Sequence, residues 1–268
     1  SRVDAGRRKA IVVLGFHRSG TSALTRVLSL CGASLPANLI EANRINPRGS
    51  FESDPIFRLH EEILSTLGSS WHDLGPLPQA WTRSDLAQSY VSRMAKVVDE
   101  EFGTAPLFVL KDPRICRLVP FWLAVFAELN IEPLFVVPIR NPLEVAASLE
   151  RAESVDQQKG LLLWLSRSLQ AERDSRNYSR SFVEYDSLLK DWRGAVKRIG
   201  SDLDLTFPRL SRRSSVETDA FLSNELKHYS VSTSELAVRE DVLDWAKMAF
   251  GWLSLGASGK KIPAKKID

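Results

Sequence analysis

The sequence predicts an α/β fold: a parallel sheet of four to five strands with helices on both faces. Three observations carry that expectation. Short apolar, β-branched runs recur along the chain, each too short for a helix and typical of a strand buried on both faces. Helix-period stripes fall between them, the alternation that joins parallel strands through right-handed crossovers. The first strand and helix are joined by a small-residue loop, Gly15-Phe16-His17-Arg18-Ser19-Gly20-Thr21-Ser22.

The first run spans Ile11 to Leu14. The helix after the loop shows Leu24, Val27, Leu28 and Cys31 on one stripe, with Gly32 as its C-terminal cap. Strand, small-residue loop and helix N-terminus together make an anion site, because unpaired amides and the helix dipole point at the same spot. The nucleotide-triphosphate pattern G-x-x-x-x-G-K-[ST] is met at Gly15, Gly20 and Ser22. Its lysine is not, since Thr21 stands there and the nearby cation, Arg18, lies inside the loop. The loop therefore reads as a P-loop-like cradle suited to a different nucleotide, against the alternative of a purely structural Gly/Ser turn.

Residues 33–54 carry no period and read as loop, with Asp54 capping and Pro55 opening the next helix. Its stripe is Ile56, Leu59, Ile63, Leu64 and Leu67. The Gly/Pro-rich stretch 68–81 is a surface excursion whose Trp71 and Trp81 cover the core in one reading and form a stacking platform for an acceptor in another. Another helix follows on Leu86, Tyr90, Met94, Val97 and Val98. LFVLKDPR, 107–114, is a second strand ending in Lys111, with Asp112-Pro113 capping a helix on Ile115, Leu118, Phe121, Trp122, Val125 and Leu129.

A third strand, LFVVPI, runs into Arg140. Asn141-Pro142 with Glu144 resembles a capping arrangement, and Ser148, about two turns beyond Asn141, shares its helix face. A fourth strand, Ser181 to Tyr185, precedes a helix on Leu188, Leu189, Trp192, Val196 and Ile199. After a Pro/Ser/Arg stretch at 206–215, two helices are expected at 217–228 and 234–255, then a frayed Lys-rich tail. The expected organisation is one domain over 1–268: a core sheet at 9–200, a helical segment at 201–256 and a flexible tail at 257–268.

Composition narrows the function classes. The 36 basic and 33 acidic residues nearly balance, which gives no general case for a nucleic-acid surface. Cys31 and Cys116 fall within helical apolar patterns and read as reduced core thiols. No apolar run approaches the ~18–20 residues that span a bilayer, so a cytoplasmic protein with no stable membrane insertion is expected. The polar start SRVDAGRRK without an initiator Met points to an excised domain or a processed product of a larger chain.

Gly15 to Ser22, Lys111, Arg140 and Tyr185 all fall at carboxyl ends of expected strands, the edge where open α/β sheets bind ligands. Three cationic groups there call for a multiply charged anion. The alternative is that Lys111 and Arg140 are solvated strand-end charges paired with Asp112 or Glu144.

On these residues the chain resembles bacterial-type sulfotransferases that use 3′-phosphoadenosine-5′-phosphosulfate (PAPS). GFHRSGTS is similar to the family's 5′-phosphosulfate loop. RNPLEVAAS is similar to its 3′-phosphate motif, an Arg followed eight residues later by a Ser, here Arg140 and Ser148. NPRGSFE, LKDPR and FVEYDSLLKDWR add support. The resemblance implies that Arg18, Ser19, Gly20, Thr21 and Ser22 hold the 5′-phosphosulfate and Arg140 and Ser148 the 3′-phosphate, with Tyr185 at the same edge. It puts Lys111 near the transferring sulfuryl group. Two departures stand out: Pro113 occupies the place of a histidine base found in some members, and the family's Arg-Lys-Gly loop is absent, with Arg209, Arg212 and Arg213 as candidate substitutes.

Negative charge in sulfuryl transfer develops mainly on the departing 5′-phosphate, which Arg18, Lys111 and the helix N-terminus could stabilise without a metal. The acceptor needs a base within hydrogen-bond reach. Glu52 is the first candidate, matching the family's Gly-aromatic-aromatic-Glu element with Ser50 in the usual first aromatic place; Glu41 and His60 are alternates. The expected reaction is transfer from PAPS to a hydroxyl or amine of a carbohydrate, lipid or small metabolite, leaving adenosine 3′,5′-bisphosphate. The competing readings are a P-loop kinase and a catalytically silent nucleotide-binding module.

Overall fold

A computed structural model of the protein describes residues 7–43, 47–78, 80–209, 212–223 and 231–267. Ala10, Ile11, Val12, Val13 and Leu14 are all wholly buried, and this places the first apolar run at the centre of a sheet. Four strands, β1 (Lys9–Val13), β2 (Leu107–Lys111), β3 (Glu132–Ile139) and β4 (Arg180–Glu184), pair in parallel in the order β2-β1-β3-β4. Val13 is level with Lys111 on one side and Val136 on the other, and Ile139 is level with Glu184. Parallel pairing puts all four carboxyl ends on one edge.

The helices are α1 (Thr21–Leu30), α2 (Asp54–Thr66), α3 (Asp85–Phe102), α4 (Ile115–Glu128), α5 (Pro142–Glu153), α6 (Gln157–Ser175), α7 (Tyr185–Lys190), α8 (Trp192–Asp202), α9 (Arg212–Ser223), α10 (Thr233–Val238), α11 (Asp244–Ala257) and α12 (Ala264–Ile267). The pleat of the sheet divides the core in two. Ala10, Val12, Phe108, Leu110, Phe135 and Val137 face α3, α4, α5, α6 and α11. Ile11, Val13, Val109, Leu134 and Val136 face α1 and α8. Alternate residues of one apolar run thus serve opposite cores, as period-2 side chains must.

The elements differ from expectation where polar chemistry overrides the apolar pattern. Ser53, not Asp54, caps α2: its hydroxyl accepts from the Ile56 amide at 3.2 Å, with Asp54 and Pro55 in the first turn. Helix α4 begins at Ile115, and Asp112 instead accepts from the Arg114 amide at 2.9 Å. It kinks at Leu118 (φ −120°), two residues before Pro120, whose ring cannot continue the ladder. The stripe expected from Leu188 to Ile199 breaks into α7 and α8 because the Asp191 carboxylate accepts from the Gly194 amide at 2.9 Å.

Helix α6 was not foreseen, because Arg167, Glu172 and Ser175 are buried on it and interrupt the apolar period. The segment expected as one helix over 234–255 is α10 and α11. The helix expected at 217–228 starts at Arg212, and its residues 224–228 lie outside the described residues. The Lys-rich end is anchored rather than loose at Ile262, which is buried against Gly256 and Phe182. Gly32, at φ +110°, follows the α1 cap residue Cys31 in the conformation that ends helices. Cys31 and Cys116 are buried free thiols, pushed up by burial to about 11 and about 12. No helix among the described residues is long and apolar enough to cross a membrane.

Candidate functional site at the carboxyl edge of the sheet

The loop between β1 and α1 is shaped by two left-handed residues, Arg18 (φ +64°) and Gly20 (φ +84°). Gly20 is also the α1 N-cap, with no side chain over the helix end and no acidic residue in the first turn. The first amides of an α-helix have no intrahelical carbonyl partner, so this terminus faces the site with its donors uncovered by acid or cap. A Cβ on Gly20 would stand 2.2 Å from the Tyr185 ring, so glycine is required twice: by φ and by the tyrosine wall. Tyr185 is buried, and the Arg140 guanidinium lies over its ring at 4.7 Å.

On the β3 side of the loop, Arg140 donates from Nη1 to the Arg18 carbonyl at 3.0 Å and from Nε to Glu144 at 2.8 Å. Arg18 donates from Nε to the Ser148 hydroxyl at 3.0 Å. The loop, the end of β3 and the second turn of α5 are thereby joined. Asn141 caps α5 through the Leu143 amide, and Glu144 accepts from the Val231 amide at 2.9 Å rather than closing a capping box.

On the β2 side, Lys111 Nζ donates to Glu52 Oε1 at 2.5 Å, to the Ser50 carbonyl at 3.1 Å and to Ser22 Oγ at 3.3 Å. Ser22 also donates to the Ser50 carbonyl at 3.3 Å. The pair is enclosed: the Lys111 side chain is 3% exposed and that of Glu52 10%. Burial raises the Glu52 pKa, and the Lys111 charge opposes that rise. Phe51, between Ser50 and Glu52, sits at φ +59°, so a strained residue presents both groups to the lysine.

Beside this pair, a buried chain runs from Asp112 through His60 to Trp122. His60 Nδ1 is 2.8 Å from Asp112 Oδ2, and its Nε2 accepts from the Trp122 indole at 2.9 Å. With both ring nitrogens engaged and no exposure, His60 has no path to an acceptor. Burial disfavours the Asp112 charge, but Arg114 and His60 hold its carboxyl well below the usual carboxylate range. Arg114 also pairs with Glu61 and lies over the Phe57 ring at 4.5 Å. Glu41 is exposed.

Two proposed substitutes for a phosphate-covering loop lie elsewhere. The Arg209 amide bonds the Cys31 carbonyl at the far end of α1, and Arg213 is a solvent-exposed partner of Glu217. Arg212 opens α9 and is exposed. Trp81 is buried and stacks on Phe121 at 5.7 Å, so for this tryptophan the core reading holds. Trp71 is half-buried and lies 4.5 Å from the His17 ring, over the loop.

The sequence did not single out His17, Arg117 or Arg167. The buried Nε2 of His17 has no hydrogen-bond partner among the described residues. Arg117 donates to the Ser69 hydroxyl and the carbonyls of Ser70 and Gly75, and Arg167 to the carbonyls of Trp71 and Asp73. A buried arginine in an apolar helix pattern was the available signal for both.

No protein-family model and no curated protein matches the chain. Among solved structures it is similar to the sulfotransferase domain of the Synechococcus PCC 7002 olefin synthase, at 15% identity, with 95% of this chain and 98% of that one covered and a TM-score of 0.53. It is also similar to the sulfotransferase domain from the curacin biosynthetic pathway, at 15% identity, 96% and 100% coverage and a TM-score of 0.51. The class defined here is an α/β protein with a P-loop-like turn at the centre of a parallel sheet. Within it, the fold is that of the sulfotransferase domains.

Proposed function

We propose that the protein transfers a sulfuryl group from PAPS to a hydroxyl or amine of a small-molecule or glycan acceptor. The observation that carries this reading is the division of charge around the α1 N-terminus. Arg140 and Ser148 reach it through Arg18 on one side, and Lys111 reaches it through Ser22 on the other. A nucleotide with phosphate groups at both ends of its ribose suits two such subsites, and the α1 terminus carries neither a side-chain cap nor a first-turn acidic residue to compete with an anion.

PAPS as co-substrate brings an activated sulfuryl group whose leaving group is a 5′-phosphate. In this reading the amides of Gly20, Thr21 and Ser22 hold that phosphate, with Ser19, whose own amide donates to the Phe16 carbonyl at 3.2 Å, beside them; Lys111 neutralises its developing charge, and Arg140 and Ser148 hold the 3′-phosphate. Glu52 takes the acceptor proton. Burial makes its carboxylate more basic than usual, which suits that role near neutral pH. The Lys111–Glu52 pair keeps base and charge-stabilising cation 2.5 Å apart. We further propose that the chain is one such domain, cytoplasmic and part of a larger protein, as both similar structures are domains of larger systems by their descriptions.

Calorimetry with adenosine 3′,5′-bisphosphate and ADP tests the donor class: the bisphosphate should bind and ADP should bind far more weakly. Glu52→Gln should then lower transfer from labelled PAPS by about 10²–10⁴-fold while bisphosphate affinity stays near wild type. Equal affinity for the two nucleotides would sink the reading.

A further inference from the structure

Helix α11 carries more apolar surface than its own chain uses. Ala246, Ala249, Phe250, Leu253 and Ala257 are buried, and the helix packs on α6, β3 and β4. One such stripe is enough to seat a surface helix. A second apolar stripe runs along the outer side: Trp245, Met248, Trp252 and Leu255, at the i, i+3, i+7, i+10 spacing of paired helices. Trp245 is 74% exposed and Met248 47%, while Trp252 and Leu255 are half-buried. Val238 and Leu243, just before the helix, are exposed as well. Four of the ten exposed large apolar side chains among the described residues thus fall within 238–248, which makes a patch rather than a scatter.

Gly251 lies beside the midpoint of the outer stripe. It is exposed, and a Cβ there would meet no atom of the described residues within 4 Å. The packing of the chain on itself does not call for glycine at this point, where it costs a helix interior about 1 kcal/mol against alanine. A second helix crossing there does call for it, because the two backbones can then come close.

The ends of α11 differ in charge. Glu240, Asp241 and Asp244 lie at its start and Lys260 and Lys261 just past its end, all of them exposed. Arg239 offsets Asp241 and Lys247 offsets Asp244, whereas Glu240, Lys260 and Lys261 have no ion-pair partner among the described residues. An anionic lipid surface would attract one end and repel the other. A second α11 laid antiparallel brings each acidic end against lysines and each apolar half against its complement.

We propose that this face pairs two copies of the chain, α11 against α11, antiparallel across a two-fold axis near Gly251. Such an interface is self-complementary, so every contact is made twice. Trp245 meets the second copy's Leu255, Met248 its Trp252, and the turn at Glu240 its Lys260. The pairing stands whether or not the protein transfers sulfuryl groups.

Sedimentation equilibrium of the wild-type chain over about 1–200 μM should show a monomer–dimer equilibrium with a Kd on the order of 10 μM, as suits one helix pair smaller than a standard interface. Trp245→Glu should raise that Kd by about tenfold or more, and an unchanged thermal melt at high dilution would establish that the variant is folded. Glu240→Lys and Lys260→Glu should each weaken the dimer about threefold at low salt and less at high salt. Glu240→Lys/Lys260→Glu should restore it, because the exchanged charges meet again in an antiparallel pair. A wild-type chain that stays monomeric throughout would overturn the inference and leave the face to a different kind of partner. A dimer as tight in Trp245→Glu as in wild type would place the interface elsewhere and overturn it too. Loss in both single charge variants without rescue in the double would overturn the antiparallel arrangement.

Discussion

At neutral pH the His17 imidazole is uncharged. Burial first, then the charges of Arg114, Lys111 and Arg18, hold its pKa well below 6.5, against a partial pull upward from Asp112. The unfolded chain therefore binds this proton at a higher pH than the folded one does. The linked contribution to stability is complete above about 6.5 and is lost as the pH falls through the folded-state value. The midpoint of urea unfolding should accordingly drop between pH 7 and pH 5, and the drop should be shallower in His17→Leu, which has nothing to protonate. Identical slopes in the two proteins would remove His17 as the source. Residues of this kind mark the limit of the sequence. Lys111 and Arg140 stood out in the sequence as strand-end cations and Ser148 through the family resemblance, and the structure brings Arg140 and Ser148 to the same loop through Arg18. His17 did not stand out, because its meaning depends on Trp71, 4.5 Å away in space and 54 positions on in the chain.

Helix α1 shows at the scale of one element how a local rule and a distant side chain fix the same residue. Gly20 ends the loop at φ +84°, and Tyr185 at the start of α7 closes off the space where a Cβ would go. Gly20→Ala should destabilise the fold by about 1–2 kcal/mol from backbone strain alone, with a further steric cost. In Gly20→Ala/Tyr185→Ala the steric part should be relieved and the backbone part should remain, as read from urea-unfolding free energies. Full recovery in the double variant would show that φ does not matter here. The strands and α1 were readable from their apolar runs and stripe, and α5 from its cap residue Asn141. Helix α6 was not, since its buried polar residues answer to partners on other elements: Arg167 donates to the Asp73 carbonyl, and Glu172 and Ser175 accept from Arg180 of β4. The order β2-β1-β3-β4 was beyond reach for the same reason: buried strands with interchangeable Val, Leu and Phe do not name their neighbours.

The molecule as a whole ties its candidate acceptor side together from one face of the sheet. The loop over 69–75 is held by Arg117 of α4 and Arg167 of α6, which bond its carbonyls, and it carries Trp71 onto His17 beside the helix terminus. Burial, and then repulsion from Arg117, push the Arg167 pKa down to about 10, so this clamp keeps two like charges close together. Arg167→Met removes one charge, which relieves that repulsion and the burial of a cation, but strands the carbonyls of Trp71 and Asp73. The two effects oppose each other in global stability and add in local freedom. Hydrogen exchange should therefore rise by about tenfold or more for amides within 69–75 while the amides of β1 and β3 keep their protection, because opening a loop does not require unfolding the sheet. If exchange rose equally in β1, the arginines would be part of the global core rather than a clamp. If it rose nowhere, the loop would be held by the packing of Trp71 on Phe16 and His17 alone.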